Sequence, residues 1–320
     1  MHTVRSAGGS FFVIMSNKDS RSIDQQIALL KARGMKFCDQ SKAAFYFNHI
    51  SYYRLKGYWW DMQSDEKKHK FSSDACFENV IERYNFDRQL RLILFDAIEI
   101  IEIALRTKMV YHLSQAYGGL WYLNDSIVEK QNIQEHLISG LKNDFCRSNE
   151  IFAKNFRAKH NIKKNNCNSN EDPDAWIIFE VATFGTLSKI FKNLKHQLPE
   201  KSKITNEMGL NFQNDLSSWL EAITYLRNII AHHSRIWSRS MTKRPTIIKK
   251  PKMQWLQNEI TELQIKKPYY IISTMLYLCN SIDPHNNIKQ KILDLFQKNP
   301  NIPIYKIGFF NNWDQEPMWK

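Results

Sequence analysis

Residues 77–118, FENVIERYNFDRQLRLILFDAIEIIEIALRTKMVYHLSQAYG, constrain the fold more than any other stretch of the chain. Leu90, Ile93, Leu94, Ala97, Ile98, Ile101, Leu105, Met109 and His112 fall close to one stripe at helical spacing, and the run holds no proline and no interior glycine. Such a segment predicts one long helix, the spine of a helical bundle. The rest of the chain agrees. Ten glycines and nine prolines in 320 residues are too few for an all-β protein built on tight turns. A hydrophobic content of 43% supplies cores for one large domain or two smaller ones. The expected class is all-α.

Other segments fill in the bundle. Residues 1–21 read as a tail, and Met15 is as good a start as Met1. Residues 22–75 predict an N-terminal helical region. In SIDQQIALLKARGMKF, Ile23, Ile27 and Leu30 recur at helical spacing between Ser22 as N-cap and Gly34 as C-cap. Asp39 caps a second short helix. The pair reads as a helix-turn-helix or, preferred, as a hairpin packed on the main body. Tyr52, Tyr53, Tyr58, Trp59 and Trp60 are either base-stacking residues or, more commonly for such a cluster, core. SDEKKHK reads as a solvated loop. Residues 76–240 form the expected helical core. Within it, 119–170 holds a helix pair, and a polar, Asn/Lys-rich loop runs over about 160–172. A further helix starts at Asp172 or Asp174 and carries Trp176, Ile177, Glu180, Val181 and Phe184; Gly185 either interrupts it or permits close approach by a neighbour. The next presents Leu216, Trp219, Leu220, Ile223, Leu226 and Ile230. Residues 241–320 read as a basic, helical C-terminal extension. From 238 onward there are 13 Lys/Arg against 6 Asp/Glu.

The formal net charge is +13, which suits a polyanionic partner, either nucleic acid or an anionic membrane surface. No apolar run approaches the roughly 20 residues that span a bilayer. Cysteines stand at 38, 76, 146, 167 and 279, an odd number without C-x-x-C, and no H-E-x-x-H occurs. A reducing cytoplasm is the simplest setting, with no disulfide framework, no metal site and no cofactor expected. The absence of a phosphate-cradling glycine loop argues against an NTPase.

One stretch concentrates chemistry. RNIIAHHSRIW, residues 227–237, crowds two arginines, two histidines and an asparagine directly after an apolar helical run. RNA can be cleaved without metal when its 2′-hydroxyl attacks the adjacent phosphorus. Histidine suits both proton transfers, and arginine suits the charge that builds on the phosphorane. Asn228 and His232, four apart, share a helical face. Arg227 and His232, five apart, stand about 140° around an ideal helix. Bringing them together requires a helix break or a second copy of the segment.

Arg227-Asn228-Ile229-Ile230-Ala231-His232 resembles the R-x(4–6)-H signature of HEPN ribonucleases. IALLKARGM, ISYYRLKGY, YNFDRQLRLILFDAIEIIEIALRTKMVYHL, WIIFEVATFGTLSKIF and SWLEAITYLRNIIAHHSRIW resemble, in that order, the Abi-like (AbiD/AbiF) abortive-infection family of bacterial phage-resistance proteins, over roughly residues 22–240. The resemblance implies a HEPN-type helical fold, metal-independent RNA cleavage and a toxin-like defence role. It implies that Arg227 holds the phosphate, His232 transfers protons, Asn228 orients one of them, and His233 is a substitute or second proton carrier.

Arg106 and His112 in the long helix form a second R-x(4–6)-H pair, read as catalytic or as structural, with Glu102–Arg106 an i,i+4 salt bridge. Glu180 is a buried acid that orients an arginine, or else a solvent-facing residue. His233, Arg235, Arg239, Lys243, Arg244, Lys249 and Lys250 are the expected RNA contacts, the last five on a basic arm over 239–252 that otherwise reads as a solvated loop. The expected partners are RNA, as substrate and as a bound noncoding regulator, and a second copy of the chain; no membrane is expected. Two other functions compete: a non-catalytic protein that holds a structured noncoding RNA, and a DNA-binding regulator using residues 22–50.

Overall fold

In the computed structural model the long stripe forms one helix of 41 residues, Phe77–Tyr117, about 60 Å from end to end. Leu90, Leu94, Ala97, Ile98, Ile101, Leu105 and Met109 are all buried. The structure describes residues 20–164 and 171–320, together with the backbone of two short paired strands, β1 (Val4–Ser6) and β2 (Gly9–Phe11). The rest of the expected tail lies outside the described residues, as do residues 165–170 of the expected loop and Cys167. The chain divides into two compact units, 1–85 and 86–320.

In the first unit, α1 (Ile23–Ala32) begins with a capping box in which Ser22 and Gln25 satisfy each other's backbone N–H. It ends in a Schellman turn. Gly34 takes φ +98°, its N–H donates to the Lys31 carbonyl, and the Met35 N–H donates to Leu30. Asp39 caps α2 (Gln40–His49) and Ser51 caps α3 (Tyr52–Trp59). The aromatic cluster divides: Tyr58 and Trp59 are core, whereas Tyr53 and Trp60 are exposed. Residues 64–70 are not a plain loop. They turn between β3 (Gln63–Asp65) and β4 (Lys70–Phe71), closed by Asp65 accepting from the Lys68 N–H and anchored by buried Phe71. Two short strands and a tight turn leave too few residues for alternation to register in the sequence.

The second unit contains most of α4 (Phe77–Tyr117), then α5 (Gln131–Arg147), α6 (Ile151–Lys159), α7 (Ala175–Ile178), α8 (Phe184–Asn193), α9 (Pro199–Glu207), α10 (Gln213–Ala231), α11 (Pro268–Ile282) and α12 (Ile288–Lys298). Helix α10 packs on α8, α9 and α11. Helix α11 is buried from Pro268 to Cys279, as a helix apolar on every side must be. Trp219 of α10, Trp255 and Tyr277 of α11 pack ring against ring. Among the described residues no helix is long and apolar enough to cross a membrane.

Three expectations need correction. The 175–193 segment breaks at Ala182–Thr183 rather than at Gly185. Thr183 caps the new helix by accepting from the Thr186 N–H, and a side-chain cap fixes a helix start more firmly than an interior glycine does. Asp174 stands at the N-cap of α7 without a capping hydrogen bond. Residues 239–252 are a strap, not a free arm. Thr246 accepts from Trp219 and Tyr270 through its carbonyl, donates to Ser218 through its N–H and donates to Asp215 through its hydroxyl.

Candidate functional site

Helix α10 stops in the middle of the chemistry-bearing stretch, at Ala231. His232 is its C-cap, and His233 takes φ +54°. The His233 N–H donates to Ile230 and the Ser234 N–H to Ile229, which is a Schellman turn with histidine where glycine is usual. A non-glycine residue in the left-handed region costs roughly 1–2 kcal/mol, so surrounding contacts must hold it there. The strongest belongs to Asp87, 1% exposed on α4. Its Oδ1 accepts from the Ile236 and Trp237 N–H groups at 3.0 and 2.7 Å, and its Oδ2 from Arg91 Nε at 3.2 Å. Buried Ile236 and Trp237 lock the segment down behind the two histidines.

On the last turn of α10, half-buried Arg227 donates to Oδ1 of exposed Asn228 at 3.4 Å. His232 and His233 are exposed. The His232 N–H still donates to the Asn228 carbonyl at 3.1 Å, so His232 keeps its helical place relative to Arg227, and the chain leaves the helix only at His233.

In the long helix, Arg106 and His112 face different neighbours. Arg106 Nη2 donates to Glu102 Oε1 and to the Ala182 carbonyl, each at 3.0 Å. The latter is the carbonyl left without a helical partner by the break before α8. His112 Nε2 lies 2.9 Å from Glu207 Oε1 on α9, whose Oε2 accepts from Lys108 at 2.9 Å. Burial pushes the Glu207 carboxyl upward, but the Lys108 and His112 hydrogen bonds outweigh it and hold the group below the ordinary carboxylate range.

Glu102 links the two motifs. Burial raises its carboxyl above the ordinary range, against the opposing pull of Arg106 and then Arg227. Arg106 pairs directly with this half-buried carboxyl, and Arg227 acts on it only through its charge. The i,i+4 spacing reveals the Arg106 half of this arrangement; nothing in the sequence reveals the Arg227 half. Asp87 and Glu207 are likewise invisible to local spacing, because their partners lie 149 and 95 residues away.

Beside Arg106 runs an open groove of about 560 Å³, bordered by Tyr111, Ser114, Gln115, Trp176 and Glu180. Trp176 and Tyr111 are more than half exposed, and Arg106 Nε and Ser114 Oγ have no hydrogen-bond partner among the described residues. Glu180 faces solvent, so the buried-acid alternative is set aside.

The remaining cations are scattered. Arg235 donates to the Trp237 carbonyl and Arg239 to the Arg235 carbonyl, so both brace the segment after the helix. Lys243 pairs with Glu221 at 2.6 Å and Arg244 with Glu262 at 3.5 Å. Lys249 and Lys250 are exposed. The strap carrying them crosses Asp215 and Ser218, near the start of α10 rather than its histidine end. Among the described residues one group has the make-up of a metal site: Cys38, Cys76 and Glu78, in the first unit.

No curated protein and no solved structure matches the chain. The family model described as Abi-like protein matches residues 46–238, a span that takes in both arginine–histidine motifs and Glu102. That span is more than half of the 320 residues, and the chain belongs to the Abi-like protein family.

Proposed function

We propose that this protein is a metal-independent endoribonuclease of phage abortive infection, the role that membership of the Abi-like family suggests. The observation that carries the reading is one electrostatic neighbourhood: Glu102 pairs with Arg106 at 3.0 Å, and the charge of Arg227 also acts on it. Two guanidinium groups near one carboxylate leave positive charge for a phosphate, and the carboxylate keeps Arg106 in place.

In this reading the scissile phosphate sits against Arg227, with Asn228 beside it. His232 takes the 2′ proton as the 2′-oxygen attacks phosphorus. A second imidazole, from His233 or from another copy of the chain, protonates the departing 5′-oxygen. The products are a 2′,3′-cyclic phosphate and a free 5′-hydroxyl, with the proton count unchanged. Trp176 and Tyr111 offer rings on which unpaired bases stack. Leu92, Phe95 and Ile103, exposed on α4, offer a face to a second copy.

The test is incubation of pure protein with mixed RNA in EDTA, followed by mapping of the cut ends. Cyclic phosphate ends from the wild type and none from His232→Ala support the reading; equal cleavage by His232→Ala, or none by the wild type, refutes it.

A second reading rests on His232 itself, whose exposed imidazole has no hydrogen bond that orients it within the described residues. A protein that only holds a structured noncoding RNA needs no oriented imidazole. It would co-purify with a specific RNA, and His232→Ala would leave both RNA and phenotype unchanged.

A further inference from the structure

Cys38 and Cys76 are separated by 38 residues and carry no metal-type spacing, yet the first unit brings them together. Residues 36 and 76 form a parallel bridge: the Lys36 N–H donates to Ala75, and the Phe77 N–H to Lys36, each at 2.9 Å. Two residues past Lys36, Cys38 Sγ stands 3.8 Å from Cys76 Sγ. Glu78, in the first turn of α4, completes the group. Its Oε1 accepts the N–H of Cys38 at 3.1 Å and of Asp39 at 3.2 Å, while Oε2 lies 2.6 Å from Cys76 Sγ. One ligand atom from each residue lies within 4.8 Å of the others.

We infer that Cys38, Cys76 and Glu78 form a binding site for zinc or a similarly thiophilic divalent cation. The sulfur separation supports this. Two thiolates each about 2.3 Å from a tetrahedral zinc stand about 3.8 Å apart, and the two cysteines are at that distance. The carboxylate is also prepared. Two backbone amides fix Oε1, leaving Oε2 turned toward the sulfurs, as outer-shell hydrogen bonds orient ligands in metal sites. Thiolates select zinc over magnesium or calcium. Cys146 and Cys279 are both buried, and neither belongs to such a group among the described residues.

The cation would supplant the Cys76 S–H···Glu78 hydrogen bond, each cysteine giving up its proton to solvent and binding as thiolate. Cys38 is exposed, so a fourth coordination position opens to water. The metal would clip the α1–α2 connection to the start of α4. Its place in the first unit separates this inference from the proposed cleavage, which uses residues of the second.

The experiment uses the full-length chain, purified with a reductant, loaded with zinc and dialysed, with bound metal counted by atomic emission. Cobalt(II) titration supplies an independent optical readout. Wild type should retain one zinc per chain and give the intense visible bands of tetrahedral, thiolate-bound cobalt. Cys38→Ser and Cys76→Ser should each lose both, and Glu78→Gln should bind at least about tenfold more weakly. Circular dichroism checks the fold, and the exposed position of Cys38 makes Cys38→Ser the decisive variant. Retention of no zinc by the wild type, equal retention by Cys38→Ser, or a Cys38–Cys76 disulfide in place of metal binding under these reducing conditions would each overturn the inference.

Discussion

The two arginine–histidine segments of the second unit are alike in sequence and unlike in structure. Arg106 and His112 lie within an unbroken helix. Six residues apart, they are about 9 Å apart along its axis and about 120° apart around it. Each is taken up by a different neighbour, Arg106 by Glu102 and the Ala182 carbonyl, His112 by Glu207. Arg227 and His232 lie on the last turn and the cap of a helix, and a left-handed turn at His233 then carries the chain out of helical register. A motif written in residue spacing describes side-chain proximity only when the backbone between the two residues is known. Here the segment at the helix end keeps both histidines exposed, whereas the one inside the helix is absorbed into packing.

The largest effect that can break this comparison is catalytic. Arg227→Ala and His232→Ala should each lower RNA cleavage by about 10²–10⁴-fold, and His112→Ala by less than about tenfold. Equal losses at His112 and His232 in a gel-based cleavage assay would erase the distinction. Next comes the anchor. Asp87→Ala leaves Arg91 buried without its partner and frees the Ile236 and Trp237 amides. It should cost about 3–5 kcal/mol in urea denaturation and remove activity through misplacement of the cap. A loss below 1 kcal/mol, on the order of an exposed ion pair, would mean that Asp87 does not hold the turn.

Two smaller effects sharpen the picture. His233→Gly relieves the left-handed strain and should stabilise the fold by about 1 kcal/mol; destabilisation would show that the imidazole contributes more to the fold than its backbone costs. Glu207 supplies the pH test. Its folded-state carboxyl is held below the ordinary range, so its stabilising contribution is present above the unfolded value of about 4.3 and is lost as pH falls through the lowered one. The stability difference between wild type and Glu207→Gln should therefore shrink on acidification. At 43% side-chain exposure it should stay below about 1 kcal/mol at neutral pH. A difference that grows as the pH falls below about 4.3, through the carboxylate range, would contradict the Glu207–Lys108–His112 arrangement.

Local pattern made much of this protein legible. The α4 stripe, the Ser22 and Asp39 caps, the Gly34 turn and the apolar face of α10 could all be read because each depends on residues within about one or two helical turns. The end of α10 was less legible, since its Schellman turn uses His233 and no glycine marks it. The break before α8 was displaced from Gly185, because a threonine cap and the Arg106 bond to the Ala182 carbonyl decide where that helix starts.

By itself, the sequence determined the helical class, the long spine, the excess of positive charge and the pair of arginine–histidine segments. Helical periodicity and charge are properties of neighbouring residues and survive without a fold. Only the tertiary structure decided that Arg106 reaches the Ala182 carbonyl, that Asp87 reaches Trp237, and that Cys38 and Cys76 come to 3.8 Å. Those meetings are set by how helices and turns pack, and separation along the chain says nothing about distance once the backbone has folded back on itself.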